Sequence, residues 1–210
     1  MTAEVYDEDY FENGVGSNYV GYSDDGGWPL TVDVMRRFMK PESVLYEVGC
    51  AKGYFVYWAR EGGFDAYGCD VSRYAIKAGV SGLRPFIQQA DAQRLPWQAG
   101  SADGVCSWEV LEHMQPSTID EVLLQMDQVV RPGGWFWHRI GIIRTDGRFP
   151  DGEDHDATHT LMHDDAWWRE LFANRGYVRQ VEAEFALDTV FNDRDWFGRF
   201  FVYRKPEGAE

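Results

Sequence analysis

A short apolar segment that ends in a glycine turn is the feature of this chain that most constrains its fold. In LYEVGCAKGYF, residues 45–55, an apolar run leads into two glycines and then into an aromatic stretch suited to a helix. Gly49 and Gly53 allow the backbone to pass close to a ligand because they carry no Cβ. In parallel α/β proteins, such a turn presents backbone N–H groups to a ligand. An ordinary strand-to-helix connection would have the same pattern, so the turn alone does not identify a ligand-binding site.

The remaining segments alternate between strand-like and helix-like patterns. Short apolar runs predict strands over residues 44–48, 64–68, 86–88, 104–107 and 135–143. Helical spacing predicts helices over residues 31–39, 54–60, 74–78, 118–130 and 164–174. We predict two further strands, joined by an Asp-containing connection, within residues 178–203. The alternation and its final strand pair predict one α/β domain with a largely parallel sheet and an antiparallel edge.

An acidic residue supports a ligand-binding interpretation of the glycine turn. Asp70 ends the second predicted strand, FDAYGCD, about twenty residues after the glycines. A carboxylate at this place can accept hydrogen bonds from both ribose hydroxyls of a bound nucleoside. By itself, Asp70 could simply cap the helix that follows. Together, the turn and Asp70 predict a nucleoside-binding crevice at the carboxyl ends of adjacent strands.

The charge of the chain argues against polyanionic partners. Its 35 acidic and 20 basic side chains give a formal net charge of -15. Nucleic-acid binding needs clustered Lys and Arg that release counterions, so we expect no nucleic-acid partner and no membrane partner. A cationic or neutral small molecule suits an acidic surface better, although acidity also serves solubility. Three cysteines without metal spacing and the lack of a long apolar run predict buried, reduced thiols and a cytoplasmic location.

Five motifs occur in a fixed order within residues 40–140: YEVGCAKG, GCD, QQADAQRLPW, ADGVCSWEVLEHM and VVRPGGWFW. In this order they resemble the class I S-adenosylmethionine-dependent methyltransferases, and most closely the small-molecule group of the methyltransferase domain 11 type. The resemblance implies a Rossmann-like sheet of seven strands, mostly parallel with an antiparallel edge strand, and helices on both faces. Such families usually have glycine where this chain has Ala51. The change is small, so we expect a functional loop.

The resemblance also implies which residues bind S-adenosylmethionine and its product S-adenosylhomocysteine. One group would lie around the methionine end of the cofactor: Glu47, Gly49, Ala51, Gly53, Ser107 and Trp108. A second group would hold the nucleoside: Asp70, Val71, Asp91 and Ala92. In this assignment Asp70 binds the ribose, and Asp91 accepts a hydrogen bond from the adenine amino group. NAD-binding domains share the turn and the ribose acid, but their G-x-G-x-x-G fingerprint does not fit this turn.

The histidines supply the candidates for a general base, because a histidine titrates near neutrality. His113 belongs to the VLEHM motif and is expected near the reactive end of the cofactor, although a structural role fits it equally well. His155, His159 and His163 are spaced by four residues, as metal ligands on a helix can be. Their segment is rich in Gly and Asp, so we predict a substrate loop with no metal. Within it, His159 is the predicted base and His155 a predicted substrate contact.

Two regions outside the motifs are expected to form walls around the acceptor. Residues 1–30, which are acidic and rich in Tyr and Gly, predict an N-terminal arm or lid. In it, Tyr19 and Tyr22 would close over the substrate and exclude water. Residues 144–163 predict a substrate-loop insert after the fifth strand of the core. The whole chain is therefore predicted as a single methyltransferase domain.

These features predict an enzyme that moves a methyl group to an oxygen or nitrogen atom of a small-molecule acceptor, such as a sugar or a natural product. We expect it to act as a monomer or a homodimer. One alternative is a non-catalytic S-adenosylmethionine-binding regulatory protein, which turnover with any acceptor would exclude. Another is an NAD-dependent oxidoreductase, which would bind NADH in place of S-adenosylhomocysteine. A nucleic-acid methyltransferase ranks last because the net charge opposes it.

Overall fold

The computed structural model describes residues 3–148, 156–191 and 198–208. Its strands are β1 (Val44–Val48), β2 (Asp65–Asp70), β3 (Ile87–Gln89), β4 (Ala102–Trp108), β5 (Val130–Gly141), β6 (Val178–Arg179) and β7 (Gly198–Arg204). The α-helices are α1 (Glu8–Glu12), α2 (Trp28–Met35), α3 (Tyr54–Glu61), α4 (Arg73–Lys77), α5 (Ile119–Val129), α6 (Asp165–Ala173) and α7 (Val181–Phe191). Two 3-10 turns cover Ala3–Val5 and Leu111–His113. Within the described ranges, no helix combines the length and the apolar character needed to cross a membrane.

The seven strands form one sheet in the order β3-β2-β1-β4-β5-β7-β6. Strands β1 to β5 are mutually parallel, and β7 runs antiparallel to both β5 and β6. The predicted α/β fold, mostly parallel with an antiparallel region at one edge, is confirmed. Because the chain winds outward from β1 and then returns to β4 on the other side, the carboxyl ends of these two strands border a crevice. That switch point is where open α/β sheets bind ligands.

Helices cover both faces of the sheet, as predicted. On one face, α2, α3 and α7 pack through side chains such as Phe55 and Leu187. On the other, α5 and α6 pack through Leu123, Trp168 and Phe172. All five of these side chains are buried, and each contributes roughly 1.5–3 kcal/mol to folding by leaving water. The two apolar layers hold the strand ends, and thus the crevice, in a fixed geometry.

The C-terminal part differs from the prediction of two strands joined by a connection. Its first strand, β6, has two residues, and helix α7 follows it before β7. Ala183, Ala186 and Leu187 recur at helical spacing and are buried, so the helix gains a core-facing side. The exposed Val181 and Phe185 give the same segment a strand-like composition, which explains the error.

Two further boundaries are set by proline and glycine. Helix α2 begins at Trp28, three residues before the predicted start, because Pro29 occupies its first turn, where a missing N–H costs nothing. Strand β5 begins at Val130 and includes the Pro-Gly-Gly sequence that the prediction treats as a break. The pairing of β4 with β5 changes register between Ala102 and Gly104, which accommodates this sequence.

The N-terminal arm is ordered and crosses the carboxyl end of the sheet. Helix α1 is capped by Asp7, whose side chain accepts a hydrogen bond from the backbone N–H of Tyr10. Tyr10 and Phe11 are buried in a small cluster with Ala51 and Ala75. The arm therefore covers the crevice instead of extending into solvent.

Candidate active site

A cavity of about 140 Å³ lies over the carboxyl ends of β1, β2 and β4. Its floor includes Gly49, Asp70 and Trp108, which follow or end these strands. Five aromatic side chains from the arm form a roof: Tyr6, Tyr10, Phe11, Tyr19 and Tyr22. The position at the switch point of the sheet is typical of a small-molecule site.

The glycine turn forms one wall of the cavity and has an unusual backbone. Gly49 has φ +77°, and a Cβ on it would lie 2.4 Å from Cγ2 of Val110. Gly53, at φ +82°, precedes the first residue of α3. Ala51 also has a left-handed backbone, with φ +45°, which costs a non-glycine residue roughly 1–2 kcal/mol. The turn that the sequence predicts is therefore held in a strained form, as is typical of ligand-binding loops.

Asp70 connects this turn to the start of α4. Its Oδ2 accepts a hydrogen bond from the backbone N–H of Ala51 at 2.8 Å, and its Oδ1 accepts one from that of Ser72 at 2.7 Å. The carboxyl group lines the cavity, and burial raises its pKa although these two bonds act in the opposite direction. Each carboxylate oxygen keeps a second lone pair for a ligand hydroxyl. The group thus fixes the loop and still has acceptors to offer.

Glu47 lies behind the turn, at the end of β1, and is buried without lining the cavity. Its Oε2 has no hydrogen-bond partner among the described residues. Burial, reinforced by the nearby charge of Asp70, raises the pKa of the Glu47 carboxyl well above its usual range. A buried carboxyl group in this state is stabilised by a proton or by a cationic ligand group.

Most of the predicted cofactor residues line the cavity: Gly49, Ala51, Asp70, Val71, Asp91, Ala92 and Trp108. Three do not: Glu47, Gly53 and Ser107. Asp91 is exposed, and its Oδ1 accepts a hydrogen bond from the backbone N–H of Gln93 at 2.9 Å. Ser107 is fully buried, and its hydroxyl is hydrogen-bonded to Nδ1 of His138 at 2.8 Å. Ser107 therefore supports the cavity floor from behind.

A second part of the cavity lining is organised around His113. Its Nδ1 lies 2.7 Å from the hydroxyl oxygen of Thr158, which donates its own hydrogen to Oδ1 of Asp156 at 2.5 Å. The other oxygen, Oδ2, accepts a hydrogen bond from the hydroxyl of Tyr10 at 2.8 Å. Because the threonine hydrogen goes to the carboxylate, Nδ1 of His113 is the donor toward Thr158. The hydrogen bond to Thr158 fixes the orientation of the imidazole ring.

The other predicted histidines are not brought together. His159 lies beside His113, with 4.6 Å between ring centroids, but is not part of the cavity lining. His163 stacks on Trp167 at 3.8 Å. His155 lies outside the described residues. Residues 156–164 contain no helix, so the spacing by four does not place His159 and His163 on one helical face.

Two carboxyl groups come from the same segment as His113: Glu109, which the motif places after Trp108 at the methionine end of the cofactor, and Glu112, which the sequence analysis missed. Glu109 lines the cavity with φ +53°, and its Oε1 lies 2.9 Å from Nε of Arg139. Glu112 is fully buried, and its Oε1 accepts a hydrogen bond from the backbone N–H of Gly141 at 2.7 Å. Burial, followed by the charge of Glu109, raises the pKa of the Glu112 carboxyl well above its usual range. Glu112 also approaches His113 and His159 with ligand atoms within 4.8 Å, a spacing that would suit a metal ion.

The roof and its anchor were only partly predicted. Tyr19 and Tyr22 line the cavity as expected of lid residues, but Tyr6, Tyr10 and Phe11 were missed. These three aromatic residues lie close together in YDEDYF near the N-terminus, but their spacing follows neither a helical nor a strand period, so it did not single them out. The contacts of Asp156 with Tyr10 and of Thr158 with His113 anchor the roof, and they gave no sequence signal because each joins segments that are distant in the sequence.

Residues 46–138 match the model of a family described as Methyltransferase domain. Over this range the predicted resemblance to class I methyltransferases is confirmed. No curated protein sequence gives a significant match to the chain.

Solved structures with the same fold have low sequence identity to this chain. A Haloferax volcanii protein, solved in complex with the Trm112 methyltransferase activator, is 17% identical, with a TM-score of 0.67 over 87% of this chain and 92% of that one. The [4+2]-cyclase SpnF is 18% identical, with a TM-score of 0.65 over 88% and 82%. The 1,6-didemethyltoxoflavin-N1-methyltransferase of Burkholderia thailandensis, bound to its namesake compound and S-adenosylhomocysteine, is 14% identical, with a TM-score of 0.64 over 88% and 80%. These similarities establish the fold.

Proposed function

We propose, on the premise that residues 46–138 form a methyltransferase domain, that this chain transfers a methyl group from S-adenosylmethionine to an oxygen or nitrogen atom of a small-molecule acceptor. The observation that carries the proposal is a single cavity with a glycine turn and Asp70 at one end and His113 at the other. The Burkholderia thailandensis enzyme, which holds a small molecule and S-adenosylhomocysteine in the same fold, supports the same class of reaction. A cavity under an aromatic roof also favours a small acceptor over a nucleic acid.

The residues at the glycine turn fit the cofactor. The free lone pairs of Asp70 suit two ribose hydroxyls, and Asp91 suits an amino group at the adenine edge. Gly49 leaves space that a side chain would fill. When bound, S-adenosylmethionine supplies an activated methyl group on a sulfonium.

The chain itself would orient the acceptor and take up its proton. His113 lines the cavity, and its ring is fixed through Thr158 and Asp156. Such an arrangement suits a general base that operates near neutral pH. This geometry favours His113 over the sequence-based choice of His159, which stands beside it behind the cavity wall.

The aromatic roof would exclude water from the reacting atoms. The hydroxyl of Tyr10 donates a hydrogen bond to Asp156, and the backbone N–H of Ala157 donates one to the carbonyl oxygen of Gly16 at 3.1 Å. These contacts join the arm to the predicted insert across the cavity. Loading and release of ligands would therefore require the arm to lift, and closure would seal the site.

Formation of S-adenosylhomocysteine from S-adenosylmethionine, measured with a panel of small amines, phenols and sugars, tests this function. Acceptor-dependent product formation is the expected result. Binding of S-adenosylmethionine with no turnover on any acceptor would instead support a regulatory cofactor-binding protein. Oxidation of NADH in place of methyl transfer would support an oxidoreductase.

A further inference from the structure

We propose that Lys52 is a positioning residue that fastens the N-terminal arm to the glycine turn, so that cofactor binding and closure of the arm stabilise each other. The proposal deepens the proposed methyltransferase function, on which it rests for the identity of the ligand. It follows from the contacts, the burial and the charge of this one lysine.

Lys52 lies inside the glycine turn, between Ala51 and Gly53, which both have a left-handed backbone. Its carbonyl oxygen accepts a hydrogen bond from the backbone N–H of Val80 at 2.9 Å, which fixes the main chain at this point. The residue is only 8% exposed, yet it does not line the cavity. Its side chain is therefore placed to hold neighbouring structure and not the ligand itself.

The ammonium group of Lys52 binds two separate segments of the arm. It donates one hydrogen bond to Oε1 of Glu12, the last residue of α1, at 2.5 Å and another to the carbonyl oxygen of Tyr22 at 2.8 Å. It also lies 5.9 Å from the centroid of the Tyr22 ring, within range of a cation–π contact. Backbone hydrogen bonds join the same two segments, from Gly21 to Glu12 and from Tyr22 to Phe11. One lysine of the turn thus fastens both segments of the folded arm.

The charge of the arm makes this contact depend on the rest of the chain. No Lys or Arg precedes Arg36 in the sequence, so the acidic side chains of the arm need basic side chains from later segments for ion pairs. The hydrogen bond from Lys52, followed by that from Tyr74, lowers the pKa of the Glu12 carboxyl, which is therefore ionised at neutral pH. Because the side chain of Lys52 is only 10% exposed, salt screens this ion pair less than it screens a surface pair.

Lifting the arm would take both acceptors away from the ammonium group. An unpaired cation that stays out of water is costly, so the turn would have to move and expose Lys52. Such a movement would disturb the neighbouring Ala51, whose backbone N–H donates a hydrogen bond to Asp70 at the cavity floor. The closed arm thus stabilises the turn in the form that binds the cofactor. By linkage, a bound cofactor stabilises the closed arm by the same factor.

Hydrogen exchange of the arm tests this coupling, measured by mass spectrometry on peptides from residues 3–27 with and without S-adenosylhomocysteine. Lys52→Met keeps a long unbranched side chain and removes the charge, and Glu12→Gln neutralises the partner. Lys40→Met is the matched control, because Lys40 is exposed between α2 and β1 and lies outside the cavity lining. Peptides from β1 and β2 report whether the fold is intact, and calorimetry gives the affinity for S-adenosylhomocysteine.

We expect saturating S-adenosylhomocysteine to slow exchange of the arm by at least about tenfold in the wild-type protein and in Lys40→Met, within the usual range of such coupling. In Lys52→Met the unliganded arm should exchange faster than in the wild-type protein, and the saturating ligand should slow it much less. The affinity for S-adenosylhomocysteine should fall by the factor that the protection loses, because coupling is reciprocal.

Glu12→Gln should change the same quantities in the same direction but by less, since the carbonyl of Tyr22 still accepts from Lys52. The double variant should behave like Lys52→Met alone, because both substitutions act on one contact. Exchange in β1 and β2 should stay unchanged in every folded variant. If Lys52→Met does not fold, Glu12→Gln still decides, because full protection of its arm by the ligand would contradict the proposal.

Three results would overturn the proposal. The first is equal protection of the arm by S-adenosylhomocysteine in the wild-type protein and in Lys52→Met. The second is an additive loss in the double variant, which would assign the two residues to separate contacts. The third is faster exchange in β1 and β2 of Lys52→Met, which would assign Lys52 to the stability of the fold alone.

Failure of the proposed function gives a different result. A wild-type protein that does not bind S-adenosylhomocysteine would contradict the methyltransferase assignment and, with it, the coupling to the cofactor. Exchange of the unliganded arm would still be compared between the wild-type protein and Lys52→Met. Equal rates there would show that Lys52 does not fasten the arm.

Discussion

The two ends of the cavity are built in different ways. At the cofactor end, Gly49, Ala51 and Asp70 lie within about twenty residues of one another and meet through backbone hydrogen bonds. At the acceptor end, Tyr10 and Asp156 are 146 residues apart and meet through side chains alone. The first end thus depends on a local motif, whereas the second depends on contacts between distant segments of the chain.

Because of this difference, substitutions at the two ends should affect different properties of the protein. A substitution at the cofactor end changes the path of the backbone and should reduce binding. A substitution at the acceptor end changes side-chain chemistry and should reduce turnover while binding persists. The following variants test that separation.

The largest effect is expected from His113→Gln. The variant retains a polar side chain but lacks the base, so kcat should fall by about 10²–10⁴-fold while S-adenosylhomocysteine affinity changes little. Steady-state kinetics and calorimetry on the same preparation measure both quantities. His163→Gln is the matched control, because His163 stacks on Trp167 away from the cavity. Unchanged kcat in His113→Gln would remove this residue from the mechanism.

Gly49→Ala should have the next largest effect, and on binding. The added Cβ would lie 2.4 Å from Val110, so the turn must move, and a shift of about 1 Å in a binding loop can cost about a hundredfold. Affinity for S-adenosylhomocysteine, measured by calorimetry, should fall by that factor. Gly63→Ala, at φ +91° with no atom within 4 Å, carries the backbone strain without the clash and should bind normally. Equal losses in both variants would show that strain alone is responsible.

The pH dependence of stability tests the role of His138, which is hydrogen-bonded to Ser107 behind the cavity floor. Burial lowers its pKa to about 3, so the folded protein leaves it neutral while the unfolded chain protonates it below about pH 6.5. The unfolded state therefore binds more protons between these values, and the free energy of unfolding should fall with falling pH. Relative to His138→Gln, the slope should reach about 1.4 kcal/mol per pH unit. Denaturant titrations at several pH values that give parallel curves would contradict the assignment.

Tyr10→Phe should have the smallest effect and should act on the roof. The ring contacts remain, but the hydroxyl no longer binds Asp156, which should cost about 1 kcal/mol. S-adenosylhomocysteine should dissociate several-fold faster in stopped-flow measurements, because the arm opens more readily. Tyr57→Phe, on α3 outside the cavity lining, is the matched control. An unchanged dissociation rate would mean that the arm does not gate the cavity.

The comparison of the two ends also explains what the sequence could predict. Strand β1 was predicted at its observed bounds, and the nucleoside residues Asp70, Val71 and Asp91 line the cavity, because a local motif encodes each of them. Helix α7 was missed because exposed Val and Phe residues hid its helical period.

At the acceptor end, local patterns were misleading. The segment with the histidines spaced by four was predicted as a loop, and residues 156–164 contain no helix. Within it His159 was the predicted base, yet among the histidines of the described residues it is His113 that lines the cavity. The contacts of Asp156 and Thr158 depend on how the arm folds back over the sheet, and no spacing within the chain reports such long-range pairing.

Calorimetric titration with S-adenosylhomocysteine tests the central claim most directly, with NADH as competitor and with Asp70→Ala and Asp33→Ala as variants. We predict saturable binding at one site, unaffected by NADH and by Asp33→Ala, which removes an acid on the exposed face of α2. Asp70→Ala should weaken binding by at least about a hundredfold, because it removes a ribose acceptor and leaves two loop N–H groups unbonded. Absence of S-adenosylhomocysteine binding, or tighter binding of NADH, would contradict the methyltransferase assignment.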